Sequence, residues 1–274
     1  MTMTKIPFIK MDGLGNDFVI IDNRSGNVGL TRDQIVAIGD RKTGVGFDQL
    51  ILLEKSDKAA VKILFFNADG STAGACGNGS RCAARLLMDE RGTDSVEMEA
   101  PDGRILKAWR AEKGLVTVNM GKPRLKWDEI PLARECDTLA VAEIDEGLPE
   151  PCCVSVGNPH AVFFVDDVES FDVEKWGSMV ETHPMFPDRV NVEFAQPVSP
   201  DLIRMRVWER GAGLTEACGT GACATLVAAA RRGLNAGKAE IRMDGGSLVI
   251  EWRNGGDILM TGKTHRAFVG EYLG

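Results

Sequence analysis

Ala217-Cys218-Gly219-Thr220-Gly221 decides how this chain is read, because nearly the same string, Ala75-Cys76-Gly77-Asn78-Gly79, stands 142 positions earlier. Sliding the sequence against itself by that offset brings other polar residues into register. Gly15-Asn16 falls on Gly157-Asn158, Gln49 on Asn191, and Asn67 on Glu209. These matches lie 60, 27 and 9 residues before each cysteine. Self-similarity at a fixed offset marks a duplicated structural unit. The repeated positions are amides and thiols rather than core apolar residues, so the duplication is expected to bring two polar half-sites together. Two thiols opposed across one pocket imply chemistry performed from two faces.

Around each cysteine the element order repeats. In the first half, 6–11 and 18–22 read as strands around a Gly/Asn/Asp loop, and Thr31 as the N-cap of a short helix over 32–40. The apolar runs 49–54 and 61–66 read as strands. Residues 77–91 read as a helix stopped by Gly92. Strands over 95–99, 104–110 and 115–119 follow, separated by Pro101-Asp102-Gly103 and Glu112-Lys113-Gly114 turns. In the second half, 152–156 and 161–165 are strands around Gly157-Asn158-Pro159-His160, and 173–181 is helical. Strands over 190–194 and 202–208 precede a helix over 219–232 ended by Gly233. Strands over 239–243, 247–252 and 258–261 close the repeat, with Asp244-Gly245-Gly246 and Asn254-Gly255-Gly256 as turns. The Pro-, Asp- and Glu-rich stretch 123–151 is the natural boundary. A final strand, 266–273, has no counterpart after the first half and is expected to return to the first domain's sheet. The expected division is 1–123 with 264–274 around Cys76, and 124–263 around Cys218.

The 274 residues suffice for two ordinary domains, and 44% hydrophobic with 26% charged residues is a soluble globular composition. A net charge of −8 leaves no electrostatic footprint for nucleic acid or an anionic membrane. No apolar run approaches a membrane span, and Met1 to Met11 lacks the apolar stretch of a secretory signal. The expected compartment is the cytoplasm, where thiols stay reduced. Seven cysteines, an odd number, do not make a disulfide framework. With no C-x-x-C spacing and three histidines, no metal site is expected.

Each repeated cysteine follows a strand and a Gly-bearing loop and opens a helix. A helix N-terminus presents unpaired N–H groups and a partial positive charge, which favour a carboxylate or a thiolate. Gly77, Gly79, Gly219 and Gly221 let a ligand approach the backbone. A carboxylate seated on such N–H groups would place one thiol on each side of its α-carbon. One cysteine, as thiolate, would remove the α-proton, and the other, as thiol, would protonate the opposite face. No cofactor is required, and the two thiols must be coupled in protonation state. Asn16, Asn158, Gln49, Asn191 and Asn67 both donate and accept, as an amino-acid zwitterion requires. Arg210 is suited to a carboxylate, and Glu209 to an ammonium or to raising a neighbouring thiol's pKa. His160 could tune a thiol or be a satisfied loop histidine. Cys136, Cys152, Cys153, Cys82 and Cys223 are read as small buried hydrophobes, His183 and His265 as structural. Arg81 has no basic match at Cys223 and is given no role.

At these motifs the chain resembles the bacterial diaminopimelate epimerases. The matching strings are M-D-G-L-G-N-D-F from Met11, G-F-D-Q from Gly46, F-F-N-A-D-G-S from Phe65, A-C-G-N-G-S-R-C from Ala75, S-V-G-N-P-H from Ser155, R-V-N-V-E-F from Arg189, W-E-R-G-A-G-L-T-E-A-C-G-T-G from Trp208 and T-G-K-T-H from Thr261. They cover nearly the whole chain; A-C-G-x-G alone is shared with related cofactor-independent racemases. The resemblance implies an α/β (α+β) fold of two pseudo-symmetric domains. Each is a mostly antiparallel or mixed sheet wrapped around a central helix, with the active site in the cleft between them. It implies interconversion of L,L- and meso-2,6-diaminopimelate, in lysine and peptidoglycan precursor synthesis, without pyridoxal phosphate or metal. Cys76 and Cys218 become the acid/base pair, and His160 and Glu209 modulate the thiols. Asn16, Gln49, Asn67, Gly77, Asn78, Asn158, Asn191, Glu209, Arg210, Gly219 and Thr220 contact the substrate, with Arg210 and the amides at the end that is not inverted. The family's homodimer places a tyrosine near the C-terminus in its interface, where Phe268 and Tyr272 are the nearest residues here.

Three other readings compete. A proline or hydroxyproline racemase-like isomerase would use the same scaffold, but a small ring needs no distal carboxylate clamp. A dithiol redox protein would cycle Cys76 and Cys218 through a disulfide. A cysteine hydrolase needs one nucleophile and a histidine base, which two equivalent thiols do not favour.

Overall fold

The first hairpin shows how local chemistry sets the frame. Strands β1 (Lys5–Gly13) and β2 (Asn16–Asp22) pair antiparallel, and Gly13 faces Asn16 across a two-residue loop. Leu14 (φ 63°) and Gly15 (φ 80°) are both left-handed, as the tight hairpin turn that matches strand twist demands. The computed structural model describes residues 5–74, 76–253 and 255–273. Ala75 of the first repeated string, Asn254 of the last turn, Met1–Thr4 and Gly274 lie outside the described residues.

The chain divides into two compact units, 1–119 with 261–274, and 120–260. Unit 1 continues with α1 (Arg32–Gly39), β3 (Gln49–Glu54), β4 (Lys62–Asn67), β5 (Thr72–Ala73), α2 (Gly77–Arg91), β6 (Ser95–Glu99), β7 (Ile105–Arg110) and β8 (Val116–Gly121). Thr31 caps α1 with a reciprocal Thr31–Gln34 capping box. Gly92, in the left-handed conformation, ends α2. β2 and β3 run parallel, β3 and β4 antiparallel, and β6–β7–β8 form a meander joined to β4 through Lys62 and Glu99. α2 packs on β1, β2, β3, β6 and β7, so the sheet curls around it. On the sheet's other face, Ile6, Phe8, Val19, Ile21, Leu50 and Leu52 bury against Ile35 and Ile38 of α1.

Unit 2 repeats the plan. It contains β9 (Cys152–Ser155), β10 (Pro159–Phe164), α3 (Val173–Glu181), β11 (Asn191–Ser199), β12 (Leu202–Glu209), β13 (Gly213–Thr215), α4 (Gly219–Arg231), β14 (Lys238–Met243), β15 (Gly246–Trp252) and β16 (Ile258–Gly262). The last strand, β17 (His265–Leu273), pairs antiparallel with β1 in unit 1. β10 and β11 are parallel, β11 and β12 antiparallel, and α4, buried from Gly219 to Ala229, packs on β9, β10, β11, β12, β14 and β15. The repeat reaches into the ladder register. Phe18 faces Gln49 in unit 1, and His160 faces Asn191 in unit 2, each residue shifted by the 142-residue offset.

Most of the expected elements form, with three differences. The strand expected over 190–194 runs on to Ser199. The short strands β5 and β13 were not expected; they are two and three residues long and carry too little pattern to read. The stretch 123–151, expected as a boundary, sends Ile130, Leu132, Val141, Ile144 and Leu148 into the core of unit 2 beside Phe163, Val192 and Phe194.

Candidate active site

In unit 1 the candidate residues gather at one end of the sheet. Parallel β2 and β3 begin there with Asn16 and Gln49, antiparallel β4 ends there with Asn67, and α2 starts there after Cys76. Cys76 is the N-cap of α2, and its Sγ accepts the Gly79 N–H at 3.3 Å. A cap residue's side chain takes up an orphan donor of the first turn, and here sulfur does so in the positive end of the helix dipole. Asn78 Nδ2 donates to Asn16 Oδ1 at 2.6 Å, joining the helix start to the strand start. Gln49 Nε2 donates to Asn67 Oδ1 at 3.1 Å, across a directly opposed pair. Arg81, given no role from sequence, is fully buried and donates to Asn78 Oδ1 at 2.8 Å. It holds a candidate substrate amide.

Unit 2 repeats this arrangement in different chemistry. Cys218 caps α4, with Sγ accepting the Gly221 N–H at 3.3 Å and lying 3.5 Å from Thr220 Oγ1. Asn158 Nδ2 donates to Thr220 Oγ1 at 3.2 Å, the counterpart of the Asn16–Asn78 bond at the same separation of 62 residues. Asn191 is buried; its Nδ2 donates to the Pro159 carbonyl at 2.9 Å, and its Oδ1 accepts the Arg210 backbone N–H at 3.0 Å. Arg210 is exposed, one guanidinium N–H donating to the Asp188 carbonyl at 3.1 Å. Glu209 accepts the Thr215 hydroxyl at 2.5 Å. Its carboxyl is pushed up by burial and by the Glu193 charge, against the pull of hydrogen bonds with Thr215 and Cys218.

His160 is the other tuning residue expected from sequence. It is fully buried, with Nδ1 2.6 Å from Glu193 Oε1 and Nε2 3.0 Å from Asn158 Oδ1. Glu193 is fully buried too and was missed. The signal was present: in Val190-Asn191-Val192-Glu193-Phe194 the two polar residues alternate with apolar ones, so they share a face of β11. Val192 and Phe194 enter the unit 2 core from the other face.

Burial, then the charges of Glu209 and Glu193, push the Cys218 thiol well above its ordinary range, opposed by Thr220 and the Gly221 N–H. Burial also pushes Cys82 up to about 12 and Cys153 well above the usual thiol range. Burial therefore does not single out Cys218; its place as a helix cap does. Cys82, Cys152, Cys153 and Cys223 are buried, and Cys136 partly so. His183 Nδ1 accepts the Met185 N–H at 3.2 Å, and His265 pairs with Asp12 at 2.7 Å. Among the described residues, no three His, Cys, Asp or Glu side chains are grouped to hold a metal ion.

The family model described as diaminopimelate epimerase matches residues 8–126 and 152–267. A protein of Phenylobacterium zucineum named diaminopimelate epimerase is 51% identical over 269 residues, covering 97% of each chain. One of Rhodospirillum centenum with the same name is 53% identical over 266 residues, covering 96% of this chain and 91% of its own. Among solved structures, a hydroxyproline epimerase from Agrobacterium vitis superposes with a TM-score of 0.70 at 15% identity, covering 98% of this chain and 92% of that one. A PhzF-family phenazine biosynthesis protein from Bacillus anthracis gives 0.69 at 16% identity, covering 99% and 100%. At such identities these two show a common fold alone.

Proposed function

We propose that this chain, which belongs to the diaminopimelate epimerase family, interconverts L,L- and meso-2,6-diaminopimelate with two cysteines and no cofactor. One observation supports the two-base reading above the rest. Cys76 and Cys218 cap equivalent helices in the same way, each sulfur 3.3 Å from the N–H three residues on. No other cysteine of the described residues caps a helix.

In the proposed mechanism a thiolate takes the α-hydrogen of the reacting amino-acid end as a proton. The bonding pair stays on the α-carbon and delocalises into the carboxylate. First-turn N–H groups at Gly77, Asn78, Gly219 and Thr220 suit that developing charge. The other cysteine, as thiol, delivers its proton to the opposite face. The substrate neither gains nor loses atoms, and the enzyme is left with its thiol and thiolate exchanged. The reverse reaction starts from that form. Burial and the carboxylates around Cys218 support the thiol role for it in the resting enzyme.

Asn16, Gln49, Asn67, Asn158, Asn191, Glu209 and Arg210 then hold the ammonium and carboxylate groups, Arg210 at the end that is not inverted. The exposed guanidinium of Arg210, on a backbone pinned by Asn191, supports that assignment. The protein acts on a small molecule in the cytoplasm, in lysine and peptidoglycan precursor synthesis. Its need for two reduced thiols, and the absence of disulfides among its cysteines, suit that compartment. It works as a homodimer through β17, which exposes Phe268, Val269 and Leu273.

The test is conversion of L,L-diaminopimelate by dialysed, thiol-reduced protein in EDTA, followed by chiral chromatography. Meso product is expected. Folded protein with free thiols that yields none would end this reading.

A further inference from the structure

Beneath the first turn of each central helix lies a pair of side chains made equivalent by the 142-residue offset. In unit 1 the pair is apolar: Phe18 on β2 and Ile51 on β3, both fully buried. A Cβ on Gly79 would lie 2.9 Å from Phe65 Cε1, 3.0 Å from Ile51 Cδ1 and 3.3 Å from Phe18 Cε1, so apolar carbons, this pair among them, floor the turn that Cys76 caps. In unit 2 the same offset lands on His160 and Glu193. A Cβ on Gly221 would lie 2.7 Å from Glu193 Oε1 and 3.3 Å from Cys218 Sγ. Two thiols with the same cap thus stand on different floors, one apolar and one carrying a carboxylate and an imidazole.

An apolar pair at these positions is compatible with this sheet and helix, as unit 1 demonstrates. A fully buried carboxylate is costly unless it is paired. Glu193 makes one hydrogen bond, to His160 Nδ1, and its Oε2 is buried with no partner among the described residues. Stability does not account for this residue. From Glu193 a chain of contacts runs to the sulfur: His160 Nδ1 at 2.6 Å, His160 Nε2 to Asn158 at 3.0 Å, Asn158 to Thr220 at 3.2 Å, and Thr220 to Cys218 at 3.5 Å. Carboxylate and amide oxygens only accept hydrogen bonds, so both ring nitrogens of His160 face acceptors: Nδ1 faces Glu193 Oε1, and Nε2 faces Asn158 Oδ1.

We propose that Glu193 is a further positioning residue of the reaction: it fixes the His160 ring and, as a buried negative charge under the start of α4, makes Cys218 hold its proton more tightly than an apolar floor would. The inference rests on the epimerase reading and deepens it. A two-base enzyme needs one thiol charged and one neutral in each resting form. Identical caps would treat the thiols alike, and the unequal floors separate them. The ionisable groups facing Cys218 are Glu209 from β12, Glu193 from β11 and, through Asn158 and Thr220, His160 from β10.

The test is Glu193→Gln, which keeps the shape and removes the charge. Alkylation of each cysteine by iodoacetamide is followed against pH by peptide mass spectrometry. The expected result is an increase of about tenfold in Cys218 alkylation at pH 8, equivalent to about one pH unit in its midpoint, with Cys76 unchanged. An unmoved Cys218 midpoint would overturn the proposal, and a merely structural Glu193 gives that result. A second measurement needs no variant. In wild-type protein with 15N-labelled histidine, His160 should show a strongly deshielded, exchange-protected Nδ1–H. Its absence would also overturn the proposal, whether or not Glu193→Gln folds. Neither readout depends on turnover, so absence of epimerisation by the wild type would refute the proposed function separately.

Discussion

Gly221→Ala places a methyl group against the buried carboxylate under the start of α4. The new Cβ would lie 2.7 Å from Glu193 Oε1, and 3.3 Å from both Cβ and Sγ of Cys218. Ordinary contact begins near 3.4 Å, so the carboxylate oxygen is overlapped by roughly 0.7 Å. A glutamate end usually swings aside at little cost. This one is fully buried and bonded to a fully buried imidazole, and leaving that partner would cost about 3–5 kcal/mol. Moving the helix start instead costs about 1–3 kcal/mol, the range for overpacking. The second route is cheaper and is the one the molecule should take. Alanine in place of glycine returns about 1 kcal/mol of helix propensity. The balance is a loss of up to about 2 kcal/mol, or up to roughly 8 °C in melting temperature for a unit of this size. Because the shift moves the N–H that caps Cys218, turnover should fall at least tenfold, as misplacements well under 1 Å are felt at a reacting centre. Thermal unfolding by circular dichroism and the epimerase assay measure the two effects. A variant clearly more stable than wild type, or one with normal turnover, would refute the packing argument.

Four other outcomes follow. Cys76→Ser and Cys218→Ser should each fold, since serine is a good cap, and should lose inversion by at least about a thousandfold; near-normal turnover of either in the epimerase assay would remove that thiol. Arg210→Lys should raise the KM for diaminopimelate about tenfold or more because a forked carboxylate grip is lost, with thermal stability little changed. Burial raises the Asp17 carboxyl, but hydrogen bonds from Arg41 and Lys10 outweigh it and bring the pKa down to about 2. A depressed carboxylate pKa stabilises the fold above the unfolded value near 4, so unit 1 should lose stability as pH falls from about 4 through about 2, and Asp17→Asn should flatten that acid limb in pH-dependent unfolding. Val269→Lys, on the exposed face of β17, tests the proposed dimer: sedimentation should shift from dimer to monomer, and an unchanged dimer would remove β17 from its interface.

The repeated string was a strong guide because duplication carries over to backbone pairing. Phe18 against Gln49 and His160 against Asn191 reproduce the offset residue for residue. Both cysteines could be placed at helix starts because glycines and an apolar run follow each of them. What stayed hidden lay where the halves differ. The offset pairs Glu193 with Ile51, so a search for likeness passes over a position where a buried carboxylate replaces an apolar side chain. Arg81 escaped for a related reason: its helix partner position carries no base, and only the fold shows its guanidinium buried against Asn78. The stretch 123–151 read as a connector because its apolar residues are spread among prolines and acids without period, yet tertiary packing draws Ile130, Val141 and Leu148 inward.

The central claim is that two thiols work on opposite faces of one α-carbon. Incubating the reduced protein with L,L-diaminopimelate in D₂O and following deuterium in both isomers at early times tests it most directly. A two-base enzyme should place solvent deuterium in the meso product while recovered L,L substrate still carries its original α-hydrogen. Deuterium entering the recovered substrate as fast as the product, or meso product retaining the original hydrogen, would contradict the account.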